Sequence, residues 1–193
     1  MKKLSEMTNE ELWQLFPIIL KEYNEEYKNW YSEEKQNIIY AVGIDNIVRI
    51  NHIGSTSVDG LIAKPTIDIL LEIKVDTDLE QLKASLINTG YIFSFQPDRP
   101  KPSMMFLKGY SEQGFLKKVF HLHIRYPGDC DELYFRDYLK EFDDVARQYE
   151  KLKLELAKKY KHNRDAYTHA KTEFIKKYTQ AAKDRYKDRY KID

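Results

Sequence analysis

Residues 117–125, KKVFHLHIR, alternate strictly. Phe120, Leu122 and Ile124 fall on one face of a predicted strand, and His121, His123 and Arg125 on the other. Residues 66–74, TIDILLEIK, predict a second strand. Its apolar face carries Ile67, Ile69, Leu71 and Ile73, and its other face Asp68, Leu70 and Glu72. Residues 47–53, IVRINHI, give a third. Segments 91–95 and 103–108 give two more around the polar loop QPDRPKP.

Helices are predicted at both ends of these strands. Thr8 with Glu11 three residues on forms a capping box for residues 8–16, with Leu12, Leu15 and Phe16 apolar and Pro17 as the stop. Residues 17–23 read as an extended or edge segment. Residues 25–42 place Tyr27, Trp30, Glu34 and Ile38 on one helical face, and Gly43 ends them. Residues 78–88 form a helix closed by Gly90. Beyond Pro127-Gly128 the chain reads as three helices. Phe135 to Phe142 mark one, Val145 to Leu156 a second, and Ala166 to Ala182 a third. The expected fold class is α+β: one domain over 1–193, a mixed β-sheet flanked by helices, with an N-terminal extension (1–23) and a C-terminal helical segment (131–193) packed on the sheet.

Composition narrows the function. The chain has 193 residues with 32 basic and 31 acidic side chains, which argues against a global polyanion surface, so nucleic acid is not the expected partner. The charge is uneven. Residues 151–193 carry 14 Lys and Arg against 6 Asp and Glu, whereas residues 1–150 carry 18 against 25. The basic end reads either as a solvated lysine-rich helix face or as a flank for an anionic substrate. The single cysteine, Cys130, allows no intramolecular disulfide and no cysteine-rich zinc site, and it has no evident histidine partner. No apolar run is long enough for a membrane span, and no secretory signal is evident, so a cytoplasmic setting is expected.

The stretch from His52 to Ile73 carries the chemistry. A strand runs into Gly54-Ser55-Thr56-Ser57, and the next strand brings Asp68 alongside. Glycine lets backbone approach a phosphate, and N–H groups and hydroxyls at such a turn cradle an anion. A neighbouring carboxylate can hold the divalent metal that neutralises it. A Gly-Ser turn alone is also an ordinary serine-rich turn; the whole string is more specific.

That string, HIGSTSVDGLIAKPTIDI, resembles the signature of the GrpB family (UPF0157), which is similar to the polymerase-beta-like nucleotidyltransferase superfamily. Further stretches of the same likeness are Phe120-His-Leu-His-Ile124, Phe135-Arg-Asp-Tyr-Leu139, Ala146-Arg-Gln-Tyr149, Leu152-Lys153 and Lys171-Thr-Glu-Phe-Ile175, so it spans roughly residues 15–180. The resemblance implies a nucleotidyltransferase-like mixed sheet, a Gly-Ser turn and metal-binding acids. Ile53-Gly54-Ser55 and Asp68-Ile69 match that pattern. The second acid does not, because position 70 is leucine. Glu72 sits ~13 Å along the strand from Asp68, too far for two metals ~3.5–4 Å apart. Family members also occur joined to dephospho-CoA kinase domains, but this chain has no P-loop.

Where the superfamily has a third acid, the later strand here offers His121 and His123, with Cβ atoms ~6.6 Å apart. With Asp68 they would suit one transition metal (Zn, Mn, Fe or Ni) better than Mg. They would equally serve as acid–base or substrate contacts, or as plain structural donors. As ligands they must be neutral, so metal affinity would fall below about pH 6. Lys64 reaches either a phosphate or Asp59. Arg125 is a candidate anion contact. Arg99 either closes over a substrate or is a solvated loop arginine, and Lys153 and Lys171 either point into the cleft or are ordinary solvated helical lysines. Tyr149 and Tyr167 read as core. Three functions compete: a nucleotidyltransferase with a divalent metal (Mg, Mn or a transition metal), a non-catalytic module binding a nucleotide, phosphorylated small molecule or metal, and a metal-dependent hydrolase using Asp68, His121 and His123.

Overall fold

The computed structural model describes residues 2–192. Five strands form one mixed sheet in the order β1-β2-β5-β4-β3. They are β1 (Ile47–Ile53), β2 (Ile67–Ile73), β3 (Ile92–Phe95), β4 (Met104–Ser111) and β5 (Gly114–Arg125). The β2–β5 pair is parallel; β1–β2, β3–β4 and β4–β5 are antiparallel. The helices are α1 (Asn9–Leu15), α2 (Glu26–Val42), α3 (Leu79–Asn88), α4 (Asp131–Glu141), α5 (Asp143–Lys159), α6 (Arg164–His169) and α7 (Thr172–Tyr186). No described helix is long and apolar enough to cross a membrane.

Local chemistry explains the boundaries. Thr8 and Glu11 close the expected capping box: Glu11 N–H donates to Thr8 Oγ1 at 3.3 Å, and Thr8 N–H to the Glu11 carboxylate at 2.7 Å. Asp78 caps α3 by accepting from Glu80 N and Gln81 N, both at 3.0 Å. Residues 17–23 are extended, and Lys21 forms a lone antiparallel bridge with Ala63. The third C-terminal helix is not continuous. Lys171 N–H bonds back to Thr168 O, a three-residue step that interrupts the ladder between α6 and α7. This break turns Lys171 toward the sheet.

Strand alternation divides the sheet into two unlike faces. Ile67, Ile69 and Leu71 of β2, with Leu122 and Ile124 of β5, pack beneath α2 and α3 in the main core. On the opposite face Leu70 packs with Leu133 and Tyr134 of α4 and Ala182 and Tyr186 of α7. A third cluster seats Val58 and Leu61 against α4 and α5. The helices leave the Asp68 end of this second face open.

Candidate functional site

Parallel pairing of β2 and β5 sets Asp68 beside His121 in register. His121 Nδ1 lies 3.1 Å and His123 Nε2 3.7 Å from Asp68 Oδ1. One ligand atom from each of the three residues lies within 4.8 Å of the others. On the other side of β2, Ile53 pairs with Asp68, and the chain then turns at Gly54 into a 3-10 turn, Ser55–Ser57. Gly54 has φ 70° and ψ −176°, a region essentially reserved for glycine. A Cβ here would stand 2.5 Å from Asp68 Oδ2. Glycine therefore lets the turn close against the carboxylate.

The hydroxyls of the turn have different jobs. Thr56 donates to Thr66 O at 3.0 Å and lies 3.0 Å from His52 Nε2. Ser57 donates to Gly54 O at 2.6 Å. Those two hydroxyls hold the turn's own shape. Ser55 Oγ instead accepts from Lys153 Nζ at 3.1 Å, and the same ammonium donates to Ile62 O. Ser55 and Lys153 both line the cleft.

His121 is held from two sides. Its Nε2 is 2.6 Å from the Tyr110 hydroxyl. Tyr110 is aimed by a register shift in β4 between Lys108 and Tyr110. The shift contains Gly109 (φ 90°), where a Cβ would meet Lys118 O at 2.1 Å. Burial pushes the His121 imidazole down to about 4, against the pull of Asp68, so it is neutral at neutral pH. A neutral ring has one N–H; Nδ1–H donating to Asp68 leaves Nε2 to accept from Tyr110. Burial alone would raise the Asp68 carboxyl. Hydrogen bonds from His121 and His123 outweigh it and hold Asp68 well below the usual carboxylate range.

Cations surround this group. Lys64, Lys153, Lys171 and Arg164 line a cleft of about 1320 Å³ together with Asp68, while Asp165 stands exposed at its rim. Burial, with Arg164 and Lys171 nearby, pushes Lys64 down to about 7. Burial lowers Lys153 to about 7 and Lys171 to about 8. Among the described residues neither Lys64 nor Lys171 has an ion-pair partner; each instead faces the Tyr167 ring, at 5.9 and 4.4 Å. The alternative partner for Lys64 is taken, because Asp59 pairs with Lys28 at 2.7 Å and accepts from the Tyr23 hydroxyl at 2.9 Å. Tyr149 and Tyr167 are buried, and both also form part of the cleft wall.

The structure brings Gly54, Ser55, Thr56, Lys64, Asp68, His121, His123, Lys153 and Lys171 to one hollow. It does not bring Ser57 or Arg125 there. Arg125 is buried at the far end of β5, with Nε 3.0 Å from Asp129. Leu70, where a second acid would stand, is fully buried among α4 and α7. Glu72 is spent on Arg49, whose Nη2 donates to it at 2.7 Å. One carboxylate and two imidazoles fit a single divalent transition-type cation; they do not fit a pair of magnesium ions. Cys130 is buried at the start of α4, which raises its thiol to about 11 and keeps it unreactive.

Sequence reasoning missed Arg164 and Tyr110. Arg164 opens α6, directly after the Asn163 cap, whose Oδ1 accepts from Ala166 N at 2.9 Å. That cap was a readable sign of a helix start, but nothing local marks Arg164 as facing the sheet. For Tyr110 the signal was Gly109, just beyond the strand expected over 103–108, a residue type that admits a bulge in a strand that runs on.

The family model described as GrpB protein matches residues 17–181. The chain belongs to the GrpB family. Among curated GrpB-type relatives, it is 39% identical over 146 residues to UPF0157 protein PA4798 of Pseudomonas aeruginosa, covering 75% of this chain and 59% of that one. It is 32% identical over 165 residues to UPF0157 protein YqkA of Bacillus subtilis, covering 83% and 46%. It is 30% identical over 161 residues to the glutamate-rich protein GrpB of Alkalihalophilus pseudofirmus, covering 82% and 91%. The chain thus spans about half the length of two of these relatives and nearly all of the third. The crystal structure of the conserved protein GrpB from Enterococcus faecalis matches with a TM-score of 0.73 at 28% identity, over 87% of this chain and 99% of that one. A structure of Cid1 in complex with its short product ApU matches with a TM-score of 0.47 at 12% identity, over 69% and 40%, a likeness too distant to carry inference.

Proposed function

We propose that this GrpB chain binds a nucleotide or another phosphorylated small molecule, with its phosphates at the Gly54-Ser55 turn, and transfers a nucleotidyl group. One observation supports the reading: a glycine turn, a carboxylate, two imidazoles and four cations share a single cleft. A polyanionic ligand supplies the counter-charge that Lys64 and Lys171 lack. Asp68, His121 and His123 would hold a divalent cation, which when bound supplies Lewis-acid stabilisation of phosphoryl oxygens. Arg164, Lys64 and Lys171 neutralise charge on the departing phosphates as an acceptor hydroxyl attacks the α-phosphorus, the bond to the bridging α–β oxygen breaks, and pyrophosphate leaves with the hydroxyl's proton. Lys153 and Ser55 fix the turn that receives the ligand.

The buried Leu70 favours a second reading, a module that binds the same ligand without turnover, because the second metal-binding acid of a transferase is missing. A metal-dependent hydrolase using Asp68, His121 and His123 is the third. The test is a thermal-shift screen of ATP, CTP, GTP and UTP with and without Mn²⁺, followed by radiolabel transfer from each. Metal content is measured on protein purified without chelator. Transfer that is abolished in Asp68→Asn supports the transferase. Binding without transfer selects the module, and release of phosphate without an acceptor selects the hydrolase. Absence of nucleotide, phosphate and metal binding would overturn all three.

A further inference from the structure

A second cavity, of about 320 Å³, adjoins the cleft and shares Phe16, Lys64, Thr66, Tyr110 and Arg164 with it. Its volume lies at the lower end of the ~300–1,000 Å³ typical of ligand pockets. It is smaller than the cleft, and rings form much of its wall. Tyr27 and Trp30 of α2 and Phe115 of β5 add further rings. Phe16, Tyr110 and Phe115 pack edge-on or tilted, with centroids 4.9, 5.0 and 5.4 Å apart. The Pro17–Ile19 segment closes one side. It is fixed by Ile18 N–H donating to Lys161 O at 2.8 Å and by the Lys21–Ala63 bridge.

We propose that this cavity receives the heteroaromatic ring of a nucleotide whose phosphates lie in the adjoining cleft; the inference rests on the phosphoryl-binding reading above. Its rings offer a stacking surface to a flat ring, and Lys21 and Lys117 add positive charge that favours an electron-rich one. The two shared cations decide between a ring and an alkyl chain. An alkyl chain would strip water from Lys64 and Arg164 and return no partner. A base ring carries nitrogen and carbonyl acceptors at its edge and a π-face over which a guanidinium or ammonium can sit. Proximity matters too, because Lys64, Thr66 and Tyr110 bound both spaces, so a ring seated here lies next to phosphates seated there.

The test compares inorganic tripolyphosphate with the four ribonucleoside triphosphates by calorimetry at equal free Mn²⁺. The variants are Phe115→Ala, which removes a ring wall, and Ile19→Trp, which fills the cavity from its rim. Both side chains are partly exposed, so the fold should tolerate the changes. In the unaltered protein at least one nucleotide should bind about tenfold or more tighter than tripolyphosphate, the scale of one base stacking on aromatic side chains. Both variants should erase that preference while their tripolyphosphate affinity stays within about twofold. Tripolyphosphate binding without nucleotide preference, or a preference that survives both variants, would overturn the ring subsite and leave the phosphoryl reading standing. No binding of either probe would sink the phosphoryl reading and the subsite with it.

Discussion

The polar face of the β2–β5 pair has two charged ends, and they are built in opposite ways. At one end Glu72 is fully buried and meets Arg49, which also stacks over Tyr190, while Arg125 meets Asp129. Each charge there has its opposite, and α4 and α7 close over the group. At the other end Asp68 faces Lys64, Lys171 and Arg164 across an open cleft, and the two lysines have no ion-pair partner among the described residues. Both ends come from the same strands and the same alternation. A neutralised end acts as structure, whereas an end with surplus positive charge is unfinished until an anion arrives.

The widest gap between the two ends should appear on truncating Glu72. Glu72→Ala leaves Arg49 without its buried partner and should cost about 3–5 kcal/mol. The melting temperature should then fall by roughly 6–20 °C. A loss below about 1 kcal/mol in denaturant titration would erase the distinction between the ends. Next is Gly54→Ala, which forces a side chain into a glycine-only conformation and against Asp68. It should cost about 1–3 kcal/mol and also weaken tripolyphosphate binding, which Glu72→Ala should spare in the protein that remains folded.

Lys64→Met and Lys171→Met should move stability the other way. Each replaces an unpaired, desolvated ammonium with an apolar chain of similar length, so stability should rise by about 1 kcal/mol while tripolyphosphate affinity falls roughly tenfold. Destabilisation by both variants would show that these lysines serve the fold.

The pH effect is smaller. Lys64 and Lys153 titrate at about 7 and Lys171 at about 8 in the folded protein, below the usual lysine value of 10.5. Between pH 7 and 8.5 the unfolded chain therefore binds more protons, and stability should rise with pH. Tripolyphosphate should reverse this by drawing protons onto the lysines. Its binding at pH 8 should take up protons, read as a dependence of binding heat on buffer ionisation enthalpy. On the acid side, His52 and His121 are pushed down to about 4 by burial, so stability should be lost as pH falls from 6.5 toward 4.

Much of this was legible in the sequence where the signal was local. The Thr8–Glu11 box, the alternation of β2 and β5 and the Gly54 turn each follow from neighbouring residues. That Asp68 and His121 each lie opposite their own strand's apolar face was equally readable; that the two strands lie side by side, with both residues on one face of the sheet, is a pairing across 53 residues. The partners of Asp59 and Glu72, the break before α7 and the arrival of Arg164 depend on tertiary packing that no periodicity encodes. Arg125 shows the limit most clearly. It shares a strand face with both imidazoles, yet two residues beyond His123 it enters a closed ion pair, because the helical cover begins there.

The parallel β2–β5 pairing also bears on how the molecule assembles. Two parallel strands cannot be joined by a tight hairpin; here α3, β3 and β4 must be laid down between them. Asp68 and the imidazoles are consequently strangers in the nascent chain and meet only when the middle of the sheet has zipped. A ligand grasped by both strands acts as a clasp on that long loop, so occupancy should slow unfolding more than it speeds folding.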